Sequence, residues 1–351
     1  MLTVGVDVGG TSVRASVVDP NGGVLDTERA ATPPTAHELN EAIATTVRAL
    51  CERYPVAAVG LAVAGFVSED RRVVRFAPHL AWRHVAVADE LAARLGVPVV
   101  LEHDANAAGI AEQRFGAATG ARTATLVAIG TGIGAATVLD GEVFRGAHGV
   151  APELGHLRVV PGGRPCSCGK RGCWERYCSG TALARTALER LAADPGAATA
   201  LAEVDRTALT GLDVARAAEA GDPVARWAFE ELARWLGEGL ALVADVYDPE
   251  VVVIGGGVSG SAHLFLDRAE QHYADAVTGS GHRPVARVAL AAFGAEATVV
   301  GAATLAREHV AAGREDAGRG DVGVGDVGRG GVAAVTGAGC GRRGAAERGD
   351  R

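Results

Sequence analysis

Twice in this chain a β-branched strand runs into a glycine turn and leaves it as a second strand, and the two copies start about 120 residues apart. The first is a strand over residues 1–8, the turn Gly9-Gly10-Thr11, and a strand over residues 13–19. The second is a strand over residues 123–129, the turn Gly130-Thr131-Gly132-Ile133-Gly134, and a strand over residues 135–139. Strand, glycine turn, strand is a hairpin signal. Its recurrence predicts two similar halves facing each other across a cleft, with one glycine loop on each wall.

Such loops suit anions, because backbone amides without side chains can approach phosphate oxygens closely. Gly9, Gly10 and Thr11 supply this on one wall, and Gly130, Thr131 and Gly132 on the other. Asp7, at the end of the first strand, can hold magnesium directly or through water. Either loop alone is often no more than a turn. The pairing of two loops, with an acid beside the first, points to nucleotide phosphates.

The remaining pattern alternates strands and helices. A helix is predicted over residues 37–54, a buried strand over 57–63, a helix over 85–95 ending at Gly96, and a strand over 97–102. An alanine-rich helix over 105–115 leaves Asp104 at a strand-to-helix junction, where side chains usually face a cleft. Asp222 followed by Pro223 starts a helix that carries Trp227, Leu232, Trp235, Leu236 and Leu240 toward the core and stops before Asp248-Pro249. A strand over 251–254 ends in a third glycine loop, Gly255-Gly256-Gly257, expected to touch the base or ribose of a nucleotide. With Val258-Ser259-Gly260 it also fits the dinucleotide fingerprint G-x-G-x-x-G. The next strand, over 285–290, is followed by Ala291 and Ala292 where that motif needs an acid for the ribose, which disfavours a dinucleotide site.

A second constraint is chemical. Glu153-Leu154-Gly155-His156 is followed, after nine residues, by Cys166-Ser167-Cys168-Gly169-Lys170-Arg171-Gly172-Cys173-Trp174-Glu175. Thiolates with an imidazole favour zinc, and a closed set of four, His156, Cys166, Cys168 and Cys173, is structural rather than catalytic. Folding the loop around zinc would present Glu153, His156 and Glu175 to one cavity. Cys178 is expected to be a buried small residue on the helix that follows.

The 351 residues allow two domains with substantial cores. With 34 basic and 42 acidic residues, net −8, there is no electrostatic footprint for nucleic acid. No apolar run is long enough to cross a bilayer, and the amino terminus lacks the regions of a signal peptide. The cysteine usage fits a reducing compartment, so a cytoplasmic location is expected. Residues 313–351 are mostly glycine, arginine, aspartate and alanine, without apolar periodicity, and are expected to be a disordered tail. Its arginines are interleaved with acids and it has no aromatics, which argues against an RNA-contacting role.

Taken together, Asp7-Val8-Gly9-Gly10-Thr11, Glu102-His103-Asp104-Ala105-Asn106-Ala107-Ala108, the loop over residues 130–134, Arg145-Gly146, Glu153-Leu154-Gly155-His156 and the cysteine run resemble the ROK family of sugar kinases and repressors. The resemblance covers roughly residues 2–308 and is strongest to bacterial ATP-dependent glucokinases. It implies an α/β fold of the actin-like, ribonuclease-H-like kind, with a smaller lobe of residues 1–107 plus about 297–312 and a larger lobe of 108–296 carrying the zinc loop. It implies zinc as a structural ion, magnesium with ATP, a hexose substrate, and a homo-oligomer, dimer or tetramer. By the resemblance Asp104 is the base that takes the proton of the sugar 6-hydroxyl. Glu153, His156 and Glu175 receive the hydroxyls at the other end of the ring, and Gly65 lies in a loop against which the sugar packs. Losing a matched hydroxyl strands a buried acceptor, so such carboxylates discriminate between sugars.

Two positions depart from the family's commonest pattern. His103 stands where asparagine is usual and contacts a mid-ring hydroxyl, and Pro152 replaces a glycine before Glu153. The expected activity is therefore phosphorylation of glucose at its 6-hydroxyl, with N-acetylglucosamine, N-acetylmannosamine or fructose as alternative acceptors. A sugar-sensing regulator without catalysis is the reading from another class. The retained Asp104 and the lack of a winged helix before the first glycine loop favour the kinase.

Overall fold

The computed structural model describes residues 1–320, with side chains through residue 313. The repeat seen in the sequence becomes two five-stranded sheets of one topology. In the first, β1 (Leu2–Val8) and β2 (Ser12–Val18) form the hairpin, β3 (Val24–Ala31) extends it at one edge, and α1 (Ala36–Cys51) leads to β4 (Val56–Val63). β4 pairs parallel to β1, so Asp7 lies opposite Ala62. A small sheet follows, of β5 (Phe66–Val67), β6 (Val74–Phe76) and β7 (Arg83–Val85), then α2 (Val87–Leu95) and the edge strand β8 (Val99–His103). Helix α3 (Asp104–Phe115) leads to the second sheet.

That sheet begins with the hairpin of β9 (Ala124–Ile129) and β10 (Ile133–Leu139), extended by β11 (Glu142–Val143). After α4 (Gly180–Ala193), α5 (Gly211–Glu219) and α6 (Pro223–Tyr247), strand β12 (Val251–Gly255) pairs parallel to β9. Helix α7 (Leu266–Ala276) then leads to β13 (Arg287–Leu290) on its far side. Helix α8 (Ala297–Gly320) closes the described chain.

The core divides into two main clusters. Val4, Val6, Ile43, Leu61, Trp82 and Leu91 fill the first, and Val127, Trp174, Phe229, Leu236, Leu240 and Ile254 the second. Each large apolar side chain buried in this way contributes about 1.5–3 kcal/mol relative to exposure. Helix α8 crosses the first sheet where Gly5 and Gly60 leave room. A side chain at either position would collide with the carbonyl of Val299 or Ala302.

Several expectations need correction. The helix predicted from residue 85 starts at Val87, because Val85 is taken by the small sheet opposite Val74. Trp227 does not enter the core and is 39% exposed. The buried stripe of α6 runs through Ala225, Phe229, Leu232, Leu236 and Leu240, which puts position 227 on the opposite face, beneath the guanidinium of Arg190 at 5.6 Å. Trp235 is only half-buried. The Asp222 cap is present, its Oδ1 accepting from the amides of Val224 at 2.9 Å and Ala225 at 3.0 Å. Cys178 is buried, as expected, but lies just before α4 rather than on it. The compact unit ends at Ala312, the boundary expected, while helix α8 itself is described through Gly320 and the remainder of the expected tail lies outside the described residues. After the third glycine loop the backbone makes 3-10 turns over Gly257–Leu264 rather than the α-helix that a dinucleotide turn requires.

Candidate active site

Strand β8 ends at His103 in extended backbone and α3 begins at Asp104. Asp104 is thus the first helical residue, not the cap, and its carboxylate accepts from the amide of the next residue rather than capping the helix from outside. Its Oδ1 accepts from the amide of Ala105 at 2.7 Å and lies 3.3 Å from His103 Nε2. The side chain is 39% exposed and faces a cavity.

Beneath this junction Glu102 is buried. Its Oε2 accepts from Arg145 Nε at 2.9 Å and Nη2 at 2.6 Å, while Oε1 accepts from the His103 amide at 3.0 Å and from Asn106 Nδ2 at 2.9 Å. Asn106 is itself buried, and its Oδ1 has no partner among the described residues. Sequence reasoning saw Glu102 and Arg145 only as members of a motif. The signal that could have found their pairing is a lone glutamate in an otherwise apolar strand, since a buried carboxylate requires a cationic partner.

The cavity beside Asp104 has a volume of about 670 Å³ and is lined by Gly65, His103, Asp104, Glu153 and His156. A side chain at Gly65 would press on the Phe76 carbonyl at 2.5 Å, so only glycine allows this loop to close against the small sheet. A side chamber of about 10 Å³, enough for one water, is lined by Gly65, His103, Asn106 and Glu153. Pro152 lines both spaces, and its peptide bond to Ala151 is cis. Burial pushes the Glu153 carboxyl up; His103 and His156 pull it down, and Asp104 and Glu175 add to the rise.

The cysteine loop folds into a miniature hairpin with bridges between Arg158 and Cys173 and between Pro165 and Arg171. Gly169 and Gly172 turn it with φ of 86° and 82°, the left-handed region that favours glycine. This fold brings one ligand atom each from His156, Cys166, Cys168 and Cys173 within 4.8 Å of one another. Cys168 Sγ is 3.6 Å from Cys173 Sγ, and Cys166 Sγ is 3.7 Å from His156 Nδ1. The first matches the S–S edge of a zinc-thiolate tetrahedron, about 3.8 Å for bonds of about 2.3 Å, and the second is slightly longer than the S–N edge of about 3.5 Å. Glu175, expected in the same cavity as Glu153 and His156, lies instead beside the cysteines and does not line it. Its Oε1 is 3.0 Å from Cys166 Sγ and 3.8 Å from His156 Nδ1, while His156 Nε2 points the other way, 3.8 Å from Glu153 Oε2.

On the other side, a cavity of about 800 Å³ is lined by Gly130, Thr131, Gly180, Thr181, Phe229 and Gly257. The Gly180 amide donates to the Gly130 carbonyl at 2.8 Å, and Thr181 Oγ1 to the Thr131 carbonyl at 2.8 Å, which ties the second loop to the start of α4. Gly256, at φ 81°, backs onto the Ile129 carbonyl, so the second and third loops meet. Gly255 and Gly256 support this wall from behind and Gly257 alone of the three lines it. Gly132 lies elsewhere, against the Glu175 carboxylate.

The first loop lines neither cavity. Its Gly9 amide donates to the Ser12 carbonyl at 3.0 Å, Thr32 Oγ1 donates to the Gly9 carbonyl at 2.7 Å, and Gly10 lies beside His79. Thr11 is exposed at the tip. Asp7 lies 3.4 Å from Arg14 Nη2. Burial raises its carboxyl above the ordinary value, Arg14 lowers it, and Asp104 raises it further, which places the two aspartates within electrostatic reach.

Compared with known proteins, the chain matches the ROK family over residues 3–309. A glucokinase from Streptomyces coelicolor is 43% identical over 310 residues, covering 88% of this chain and 98% of that one. A glucokinase from Thermotoga maritima is 30% identical, with 88% and 98% covered. Among solved structures, a ROK family glucokinase from Streptomyces griseus in complex with glucose and AMPPNP aligns with a TM-score of 0.77 at 45% identity, covering 88% of this chain and 100% of that one. A ROK hexokinase from Thermus thermophilus aligns with a TM-score of 0.74 at 34% identity, covering 89% and 100%.

Proposed function

The chain belongs to the ROK family, and from that premise we infer that it is an ATP-dependent kinase that phosphorylates glucose at its 6-hydroxyl. The observation that carries this reading is one cavity holding Asp104, Glu153 and His156 together, walled by the cysteine loop. Phosphoryl transfer asks the protein for an acceptor position, a base, and compensation of charge on the moving group. Asp104 accepts the O6 proton, and its place ahead of an amide-bonded helix start keeps one oxygen oriented while the other faces the sugar. Glu153 and His156 Nε2, which line the cavity, receive the far hydroxyls, with His103 on the ring's middle and Gly65 against its face; Glu175, which does not line it, backs His156 from the cysteine side.

ATP fits the opposite cavity, its base and ribose between the second and third loops at Gly130, Thr131 and Gly257, and its terminal phosphates reaching toward Gly9, Gly10 and Thr11. Magnesium bound with ATP offsets phosphate charge, and Asp7 is the carboxylate placed to hold it. The donor set His156, Cys166, Cys168 and Cys173 fits zinc in number, type and spacing. With Nδ1 turned toward that set, His156 keeps Nε2 for the sugar, so the ion acts by shaping the wall. We place the enzyme in the cytoplasm as a dimer or tetramer; no helix among the described residues is long and apolar enough to cross a membrane. Size-exclusion chromatography with light scattering tests the assembly.

The deciding experiment is a coupled ADP-release assay with glucose, N-acetylglucosamine, N-acetylmannosamine and fructose. Glucose is expected to give the highest kcat/KM. Release of ADP with none of them would end the kinase reading.

A further inference from the structure

We propose that His79 is a further catalytic residue, donating a hydrogen bond to the phosphoryl group as it passes from ATP to the sugar. The proposal rests on the kinase reading above. His79 sits between β6 and β7 and lines the same cavity as Asp104. Its Cβ lies 3.1 Å from where a side chain on Gly10 would begin, so its imidazole is rooted on the first glycine turn while reaching the sugar cavity. It therefore joins the two surfaces between which the phosphoryl group must travel.

Charge makes the case specific. The cavity is lined by two carboxylates, Asp104 and Glu153, and three imidazoles, His79, His103 and His156; among the described residues no lysine or arginine lines it. His103 is engaged with Asp104 at 3.3 Å, and His156 belongs to the cysteine cluster. Arg14, near the first loop, is held by Asp7 and by the carbonyl of Ala295. His79 is the donor left to meet negative charge on the equatorial oxygens. The loop that carries it is also stapled: Arg83 Nη1 donates to the carbonyls of Ala77 at 2.6 Å and Leu80 at 2.7 Å, on either side of His79, and its guanidinium lies 4.5 Å from the Phe76 ring. The backbone that carries the donor is held in this way before the reaction, which lowers the reorganisation needed when charge develops.

In the step itself the bond from the γ-phosphorus to the β–γ bridging oxygen breaks, and its electron pair leaves with ADP. The bond from phosphorus to the sugar O6 forms, and the O6 proton passes to the Asp104 carboxylate. His79 keeps its proton throughout and shares it with a phosphoryl oxygen.

The test compares the wild-type enzyme with His79→Ala, His79→Asn and His79→Gln, measuring kcat and KM for glucose and ATP, glucose affinity by calorimetry, and thermal midpoint. His79→Ala is expected to lose about 10²-fold in kcat, with glucose affinity and thermal midpoint unchanged. At least one amide variant, which restores a donor, is expected to recover most of the loss. The proposal is overturned if His79→Ala keeps kcat within a factor of a few, if its loss appears in glucose affinity instead, or if neither amide variant improves on alanine. A wild-type enzyme that releases no ADP with any sugar would refute the kinase reading and this proposal with it; wild-type activity with an unaffected His79→Ala refutes this proposal alone.

Discussion

Arg145 clasps one oxygen of Glu102, with Nε at 2.9 Å and Nη2 at 2.6 Å from Oε2, directly beneath the junction that presents Asp104. The glutamate side chain is 4% exposed and the arginine 22%. Removing the arginine would leave a carboxylate buried and uncompensated. Arg145→Ala is therefore expected to destabilise the protein by about 3 kcal/mol, the low end for a broken buried pair because the arginine is partly wet. Urea unfolding measures it, and the double variant with Glu102→Gln should regain part of the loss, since the stranded charge is then gone. A single variant as stable as wild type would show that the pair does not hold this junction.

Asp104→Asn keeps size and shape but removes the basic oxygen. Its kcat is expected to fall by about 10³-fold, within the range for a positioned proton acceptor. Glucose binding, measured by calorimetry, should change little, because the contacts proposed for the far hydroxyls, from Glu153 and His156, are untouched. Turnover close to that of wild type would remove Asp104 from its assigned role.

Much of this site was legible because its parts are local. A glycine turn between two strands, or four metal-binding residues inside a short loop, is written in consecutive positions, and the repeat of the hairpin predicted the matching topologies of the two sheets. What escaped is set by long-range packing. Nothing near Gly5 or Gly60 in sequence announces helix α8, which seats on both from about 300 and 240 residues away. The clasp of Arg145 on Glu102 joins positions 43 apart through the start of a different sheet. Trp227 was misjudged because size was read in place of phase; its position on α6 is opposite the buried stripe, and helical angle decides burial more firmly than side-chain volume. The small sheet of β5, β6 and β7 is built from strands of two or three residues, too short for any alternation to show.

The cysteine loop makes a prediction about metal. Protein purified without added metal is expected to carry about one zinc per chain, and chelation should lower the thermal midpoint and weaken glucose binding together, because His156 belongs to the cluster and also lines the cavity proposed for the sugar. Nucleotide binding, proposed for the separate cavity lined by Gly130, Thr131 and Gly257, should be affected less. Metal analysis, thermal melts and calorimetry with each ligand separate these outcomes. A metal-free protein that melts as wild type and binds glucose as tightly would show that the wall stands without the ion.

Asp7 yields the prediction in pH. Burial raises its carboxyl above the ordinary value of 3.8, Arg14 opposes this, and Asp104 adds to it. The unfolded chain therefore releases this proton at lower pH than the folded chain does. The group favours folding at acidic pH, where it is neutral in both states, and that contribution is lost as pH rises through its raised folded value. Asp7→Asn cannot ionise, so without ATP and magnesium its thermal midpoint should exceed that of wild type near neutral pH. The gap should shrink as the pH is lowered toward the ordinary carboxylate range. Catalysis should move the opposite way, with kcat falling and the magnesium requirement rising, since the carboxylate that strains the folded state is the one proposed to hold the ion. An asparagine variant that is less stable than wild type near neutral pH would mean that the ion pair with Arg14 at 3.4 Å outweighs burial, and that Asp7 is held in place by structure rather than kept for the metal.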